Sequence, residues 1–332
     1  MTHHLDWYAG RTVLVTGGLG FVGSHLAERL VGLGAVVTII DASVPGLGAN
    51  PFNVASFASQ AEVVAADLRN RDAITPAVRG QECIFNLAGQ ISHIDSMTDP
   101  RSDLALNCDA HLSLLEAVRE TAPEATIVLG STRQVYGRAE RLPVDESHPV
   151  RPIDINGVHM HASEQYHLLH GRALGAPCVV LRFTNTYGPR QLMRHQRQGF
   201  IPVFVRNAIE DRPIQLYGGG RQIRDATHVD DVVDALLLAG AGAGSVSEHV
   251  FNLGGLEPFA LRDLATLLVG ITGRGEVVEV DWPADLRSID IGDFTSDWSR
   301  IQDQLGWEPR RDLEDGIAEM VKFYVDHGHH YW

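Results

Sequence analysis

Short apolar runs rich in Val and Ile recur through the first half of the chain. Between them lie longer segments in which apolar residues return every three or four positions. TVLVT at 12–16, AVVTIID at 35–41, AEVVAADL at 61–68, CIFNLAG at 83–89, ATIVLGS at 125–131 and CVVLRF at 178–183 each read as a buried strand. The stretch GFVGSHLAERLVGLG reads as a loop that opens a helix closed by Gly34, and a long helix is predicted near 100–121 through LALNCDAHLSLLEAVRE. Continuously apolar strands alternating with helices predict a parallel, doubly wound α/β sheet, because only a sheet covered on both faces buries every residue of such strands. After about residue 184 the alternation gives way to shorter elements set off by Gly and Pro, as in YGPRQ and LYGGGRQIRD. The expected organisation is a larger domain over 1–184 and a smaller lobe over 185–332. The chain is expected to recross into the first domain near 225–255, through the helical VDDVVDALLLAGA and the strand-like HVFNLGG.

Charge narrows the choice of partner. The chain has 332 residues, with 27 basic against 42 acidic side chains and a formal net charge of −15. That balance disfavours nucleic acid and anionic membrane as partners, although local arginines can still hold an anionic small ligand. Hydrophobic residues make up 44%, enough for a sizeable core, and no apolar run reaches the ~18 residues that span a bilayer. The start, MTHHLDWYAGR, lacks an apolar signal core, so a soluble cytoplasmic protein is expected. Cys83, Cys108 and Cys178 form no CxxC pair and read as buried thiols. The chain has 16 histidines, but neither His167 with His170 nor the terminal HGHHYW has local carboxylate or Cys companions that complete a metal set, so no metal is expected.

The first candidate chemistry lies in VLVTGGLGFVGSHLAERL. Gly17, Gly20 and Gly23 directly follow a strand and open a helix, with Phe21 and Val22 between the last two. Glycines at that junction permit a tight turn and close approach of backbone to a pyrophosphate, which then rests on the helix N-terminus. Asp41 closes the next strand, where a carboxylate hydrogen-bonds the adenosine ribose and repels a 2′-phosphate. The pattern predicts a Rossmann-type NAD-binding domain, with NAD favoured over NADP.

Further motifs follow in order: ADL at 66–68, NLAG at 86–89, STRQVYG at 131–137, RFTNTYGPR at 182–190, GGGRQIRD at 218–225 and LGWEPRRDLEDGI at 305–317. Together with the glycine spacing they make the chain resemble the extended short-chain dehydrogenases/reductases. Within these it is similar to the NAD-dependent nucleotide-sugar epimerase/dehydratase branch over nearly its whole length. The resemblance implies that Asp67 and Leu68 flank the adenine and that Leu87, Ala88 and Gly89 line the nicotinamide side. It implies that Asn185 meets the diphosphate region of a nucleotide-diphosphate sugar and that Arg224 and Arg287 neutralise it. It also implies a homodimer built on the helices predicted near 100–121 and 156–174.

The resemblance breaks at the redox couple. In that family a Ser or Thr, a Tyr and a Lys move the proton while hydride passes to or from the nicotinamide. Thr132 fits the hydroxyl position. The register of ASEQYHLLHG puts Asn156 where Tyr is expected and Met160 where Lys is expected, and neither is a base near neutral pH. His159, expected on the same helix face as Asn156 and Met160, is a candidate replacement acid/base, and His93 in GQISHIDS is a candidate to face the substrate. The acidic pair that dehydratases of the family carry after the hydroxyl residue is replaced by Arg133 and Gln134. The expected activity is therefore a C4-epimerisation type of oxidation and reduction with a non-standard proton shuttle. The alternatives are a catalytically inactive NAD and nucleotide-sugar binding protein, or a redirected enzyme that reshapes a related sugar through transient oxidation.

Overall fold

The computed structural model describes residues 5–194, 199–283 and 290–332. Seven strands form the central sheet: β1 (Thr12–Thr16), β2 (Val36–Asp41), β3 (Ala61–Ala65), β4 (Cys83–Asn86), β5 (Thr126–Thr132), β6 (Cys178–Phe183) and β7 (His249–Asn252). Their order is β7-β6-β5-β4-β1-β2-β3, and every neighbouring pair is parallel. The helices that matter for the site are α1 (Phe21–Gly32), α2 (Arg71–Val78), α3 (His93–Thr98), α4 (Ala110–Thr121), α5 (Ile155–Leu174), α6 (Phe200–Ile209), α7 (Val229–Val246), α8 (Leu261–Thr272) and α9 (Leu313–His327).

Both faces of the sheet are covered, as the apolar strands require. Successive residues of β1 point to opposite faces. Val13 and Val15 pack with Leu26, Leu30, Phe85 and Leu236, drawing in α1 and α7. Leu14 packs on the other side with Ile84, Ile127, Leu114 and Val118, drawing in α4. Burying one such side chain contributes about 1.5–3 kcal/mol. A second core joins Tyr187, Leu216, Val205, Leu264, Ile317 and Tyr324, and so ties α6, α8 and α9 together. The three cysteines are free and buried. Among the described residues no helix is long and apolar enough to cross a membrane.

The chain reverses its direction of travel across the sheet at β1, which lies between β4 and β2. In a doubly wound sheet this reversal leaves a crevice beyond the carboxyl ends of the strands, where ligands bind.

One helix differs from its predicted form. The segment near 100–121 is an α-helical turn at Pro100–Leu104, a π-helical stretch at Ala105–Asp109, and then α4. The wide turn carries Asn107, whose Oδ1 accepts from Gln90 N at 2.9 Å while its Nδ2 donates to Gln90 O at 3.0 Å. The extra residue per turn therefore satisfies the backbone of the loop after β4, and π-bulges of this kind concentrate at functional sites.

Candidate active site

The crevice is a cavity of about 340 Å³. Its cofactor end is built from the first β–α junction. Gly17 has φ of +68°, and a Cβ there would sit 3.0 Å from the backbone of Ala88. A Cβ on Gly23 would lie 2.3 Å from Gly17 O, so only glycine lets α1 start against its own loop. The first turn of α1 holds no acidic residue, which leaves its backbone N–H groups to an anion. Gly17, Gly20, Phe21, Val22, Gly23, Asp41, Asp67, Leu68, Leu87, Ala88 and Gly89 all line this one cavity.

Asp41 ends β2 with Oδ2 accepting from Leu19 N at 3.1 Å and Oδ1 from Ser43 N at 2.8 Å. Burial raises its pKa, and those two hydrogen bonds oppose the rise. Asp67 is bridged by Arg69 at 2.5 Å, and the hydrogen bonds from Arg69 hold its carboxyl below the usual range. The tight glycine junction, the free helix N-terminus and the carboxylate at the end of β2 fit the pyrophosphate and ribose of a dinucleotide.

The other end of the cavity is formed by the carboxyl end of β5 and the start of α5. Thr132 accepts a hydrogen bond on its hydroxyl from Gln134 N at 3.2 Å, which caps the short helical turn Arg133–Tyr136. Asp154 caps α5, its Oδ1 accepting from Gly157 N at 2.7 Å. Gly157 has to be small, since a Cβ there would stand 2.8 Å from Gln134 O. These contacts press the head of α5 against the Thr132 turn, and Asn156, Met160 and Thr132 line the cavity together. Asn156 Nδ2 donates to Gln90 O at 2.7 Å and to Asp103 Oδ2 at 3.1 Å. Both amide protons are thereby used, and only its oxygen is left to a ligand.

The two histidines are placed differently. His159 does not line the cavity, and its Nδ1 bonds Asp103 Oδ1 at 2.7 Å. The reason is helical geometry: residues 156 and 160 differ by roughly 40° around α5, while 159 is turned by about 100° from 160. The structure thus separates His159 from the Asn156–Met160 face. His93, at the first turn of α3, does line the cavity. Its Nδ1 bonds Asp154 Oδ2 at 2.6 Å and its Nε2 meets Gln134 Nε2 at 2.6 Å. Asp154 therefore both caps α5 and holds His93. Burial pushes its carboxyl up, but the hydrogen bonds from His93 and Gly157 and the charge of Arg133 oppose this and leave its pKa lowered. With Asp154 accepting the Nδ1 proton, Nε2 is the acceptor, and the Gln134 amide donates to it.

Asn185 lines the cavity, with Nδ2 donating to Asp225 O at 2.8 Å and Oδ1 accepting from Arg133 Nη2 at 3.3 Å. Arg224 does not line it. The Arg224 guanidinium donates to the carbonyls of Ile223 and Gly292 and stands 3.5 Å from Asp290. The expectation that it faces the ligand is therefore corrected, because neighbouring carbonyls and a carboxylate hold it within the fold. Arg287 lies outside the described residues. Tyr136 is packed away, its hydroxyl donating to Asn252 Oδ1 at 2.7 Å and accepting from Arg182 Nη1 at 2.8 Å.

Sequence reasoning missed the partners of His93. Asp154 was legible only as a helix cap before INGVHM, and Gln134 only as a departure from a dehydratase pattern.

The model of the NAD dependent epimerase/dehydratase family matches residues 13–254. The chain belongs to this family. Members similar to it include the UDP-glucose 4-epimerase of Mycolicibacterium smegmatis, 32% identical over 312 residues that cover 94% of this chain and 97% of that protein. The UDP-glucose 4-epimerase of Thermotoga maritima, solved with UDP-glucose, superposes with a TM-score of 0.86 at 28% identity, covering 95% of this chain and 99% of that one. The UDP-glucose 4-epimerase of Thermus thermophilus, solved as a complex with NAD, gives a TM-score of 0.84 at 28% identity, covering 95% and 99%. As in the rest of the epimerase/dehydratase family, the cofactor of this chain is NAD.

Proposed function

We propose that the chain epimerises a nucleotide-diphosphate sugar by oxidising one ring hydroxyl and reducing the resulting ketone from its other face, with His93 as acid and base. The observation that carries this reading is the His93–Asp154 pair on the cavity wall at 2.6 Å. NAD, when bound, accepts and returns the hydride. The chain itself supplies the rest. In the oxidising direction the substrate hydroxyl takes the place of the Gln134 amide at His93 Nε2 and gives up its proton there as its C–H hydride leaves. Asp154 stabilises the imidazolium that forms and fixes the ring tautomer. In the return step His93 gives the proton back to the carbonyl oxygen. Thr132 offers a hydroxyl, and Asn156 offers an acceptor oxygen, to orient the cofactor or sugar. Both His93 and His159 bond a carboxylate through Nδ1, and it is the place of His93 on the cavity wall that supports this assignment over His159.

The test uses the protein with NAD bound and a panel of nucleotide sugars. Absorbance of the reduced nicotinamide should rise transiently and the epimeric sugar should accumulate. Nicotinamide that stays oxidised with every nucleotide sugar, while those sugars bind, would remove catalysis and leave a binding role.

We infer also that two copies associate through α4 and α5. Leu112 is 39% exposed, Val158 47% and Leu169 58%, so both helices leave large apolar groups outside. Light scattering should give twice the chain mass, and a monomer mass at micromolar concentration would overturn the inference.

A further inference from the structure

Arg133 is the charged side chain of the cavity wall that the proposed chemistry does not use. It lines the cavity between Thr132 and Gln134, with its guanidinium over the Phe294 ring at 4.9 Å. Nη2 reaches only the neutral Asn185 Oδ1, at 3.3 Å, and Nη1 is buried without a partner. Among the described residues no carboxylate pairs with it, and the nearby ones are occupied. Asp154 holds His93, Asp225 accepts from Thr184 and Ser296, and Asp290 stands beside Arg224. Burial, and then the charge of Arg224, lower the Arg133 pKa to about 10 against the pull of Asp225, Asp154 and Asp290, none of which bonds it, so it keeps its charge at neutral pH. A desolvated cation with an unused N–H is costly, and a bound anion would relieve that cost.

We propose that Arg133 is the counter-charge for a carboxylate on the sugar ring, so that the substrate is a nucleotide-linked acidic sugar. The proposal rests on the nucleotide-sugar reading above. Position in the chain favours the sugar over the diphosphate. Arg133 directly follows Thr132 and precedes Gln134, whose amide touches His93 Nε2, so its backbone stands at the reacting end of the cavity while its guanidinium reaches to Asn185. The planar guanidinium suits the two oxygens of a carboxylate, and the stacked Phe294 ring restricts its plane.

The experiment titrates the NAD-loaded protein with two sets of probes: UDP, UDP-glucose and UDP-glucuronate, and the same three with dTDP. The native chain should bind the acidic sugar about 10- to 100-fold more tightly than the neutral one in at least one set. Arg133→Gln should abolish that preference while leaving affinity for the free nucleoside diphosphate and the melting temperature with NAD unchanged. Arg133→Lys should retain part of it. Equal binding of acidic and neutral sugars by the native chain overturns this inference alone and needs no variant to fold. An equal loss by Arg133→Gln for the free nucleotide and both sugars also overturns it, by assigning the side chain to the diphosphate. Failure of every nucleotide to bind removes the nucleotide-sugar reading, and this inference falls with it.

Discussion

His159 and Asp103 meet at 2.7 Å, and His159 does not line the cavity that His93 lines. His93, held by Asp154 on the wall itself, is the group we propose to move the proton. His93→Ala should lower turnover by about 10²- to 10⁴-fold with NAD binding retained. His159→Ala should change turnover by no more than a few fold. Steady-state rates and NAD titrations on the two variants decide between the histidines, and the reverse pattern would transfer the role to His159.

Asp154→Asn separates the two duties of one carboxylate. Asn is as good a helix cap as Asp, so α5 should stay intact. The anion beside His93 is lost, however, and with it the favour shown to the imidazolium. The plateau of the rate should therefore fall, with the helix content of the variant unchanged. The Asp154 carboxyl has a lowered pKa in the fold, so its contribution to stability is present above its unfolded pKa and disappears as pH falls through the folded one. A turnover unchanged in Asp154→Asn would show that the carboxylate does not act through His93.

Asp41 should set the choice of cofactor. Its carboxylate closes β2 at the cavity edge, where a 2′-phosphate would meet a negative charge. Calorimetry should show NAD bound far more tightly than NADP by the native chain, with the gap narrowed in Asp41→Ala. Equal affinities in the native chain would refute the assignment.

Acid should destabilise the fold before its carboxylates titrate. Burial lowers the pKa of His25 to about 4, of His111 to about 4, of His167 to about 3 and of His228 to about 4. A depressed folded pKa means that the unfolded chain takes up the proton first. The stability these groups lend is complete above about 6.5 and is lost as pH falls from there toward 4. Each contributes a slope of up to about 1.4 kcal/mol per pH unit in that window. Melting temperatures at pH 7 and pH 5 should differ by several degrees, and His111→Asn should flatten the dependence. A melting temperature independent of pH over this range would contradict the burial argument.

The sheet was readable because a strand buried on both faces must be apolar throughout, and each of the six runs found before residue 184 became a strand of that sheet, although β3, expected to be buried, is a largely exposed edge. The glycine junction was readable because its spacing is dictated by backbone clashes that no other residue avoids. Pairings between distant segments were not. Helical spacing shows that Asn156 and Met160 share a face. It cannot show that Asp103 from another helix takes His159, or that the cap of α5 reaches His93. The π-helical turn at Ala105–Asp109 is likewise imposed by Asn107 bonding to Gln90, a contact with no local signature. Arg133 stood out in the sequence only as a missing acid. Its isolation arises because three carboxylates from three other segments are each engaged elsewhere.

β7 completes the sheet beside β6 only after the chain has passed through Tyr187, α6 and Leu216 of the second core, and it then returns to that core in α8 and α9. A fragment ending near residue 184 would therefore present β6 as a bare edge and leave the α7 side of the sheet wet. Neither half can be expressed, shuffled or inherited as a self-sufficient piece, and a proteolytic nick between β6 and β7 should leave two parts that stay together until the whole sheet melts.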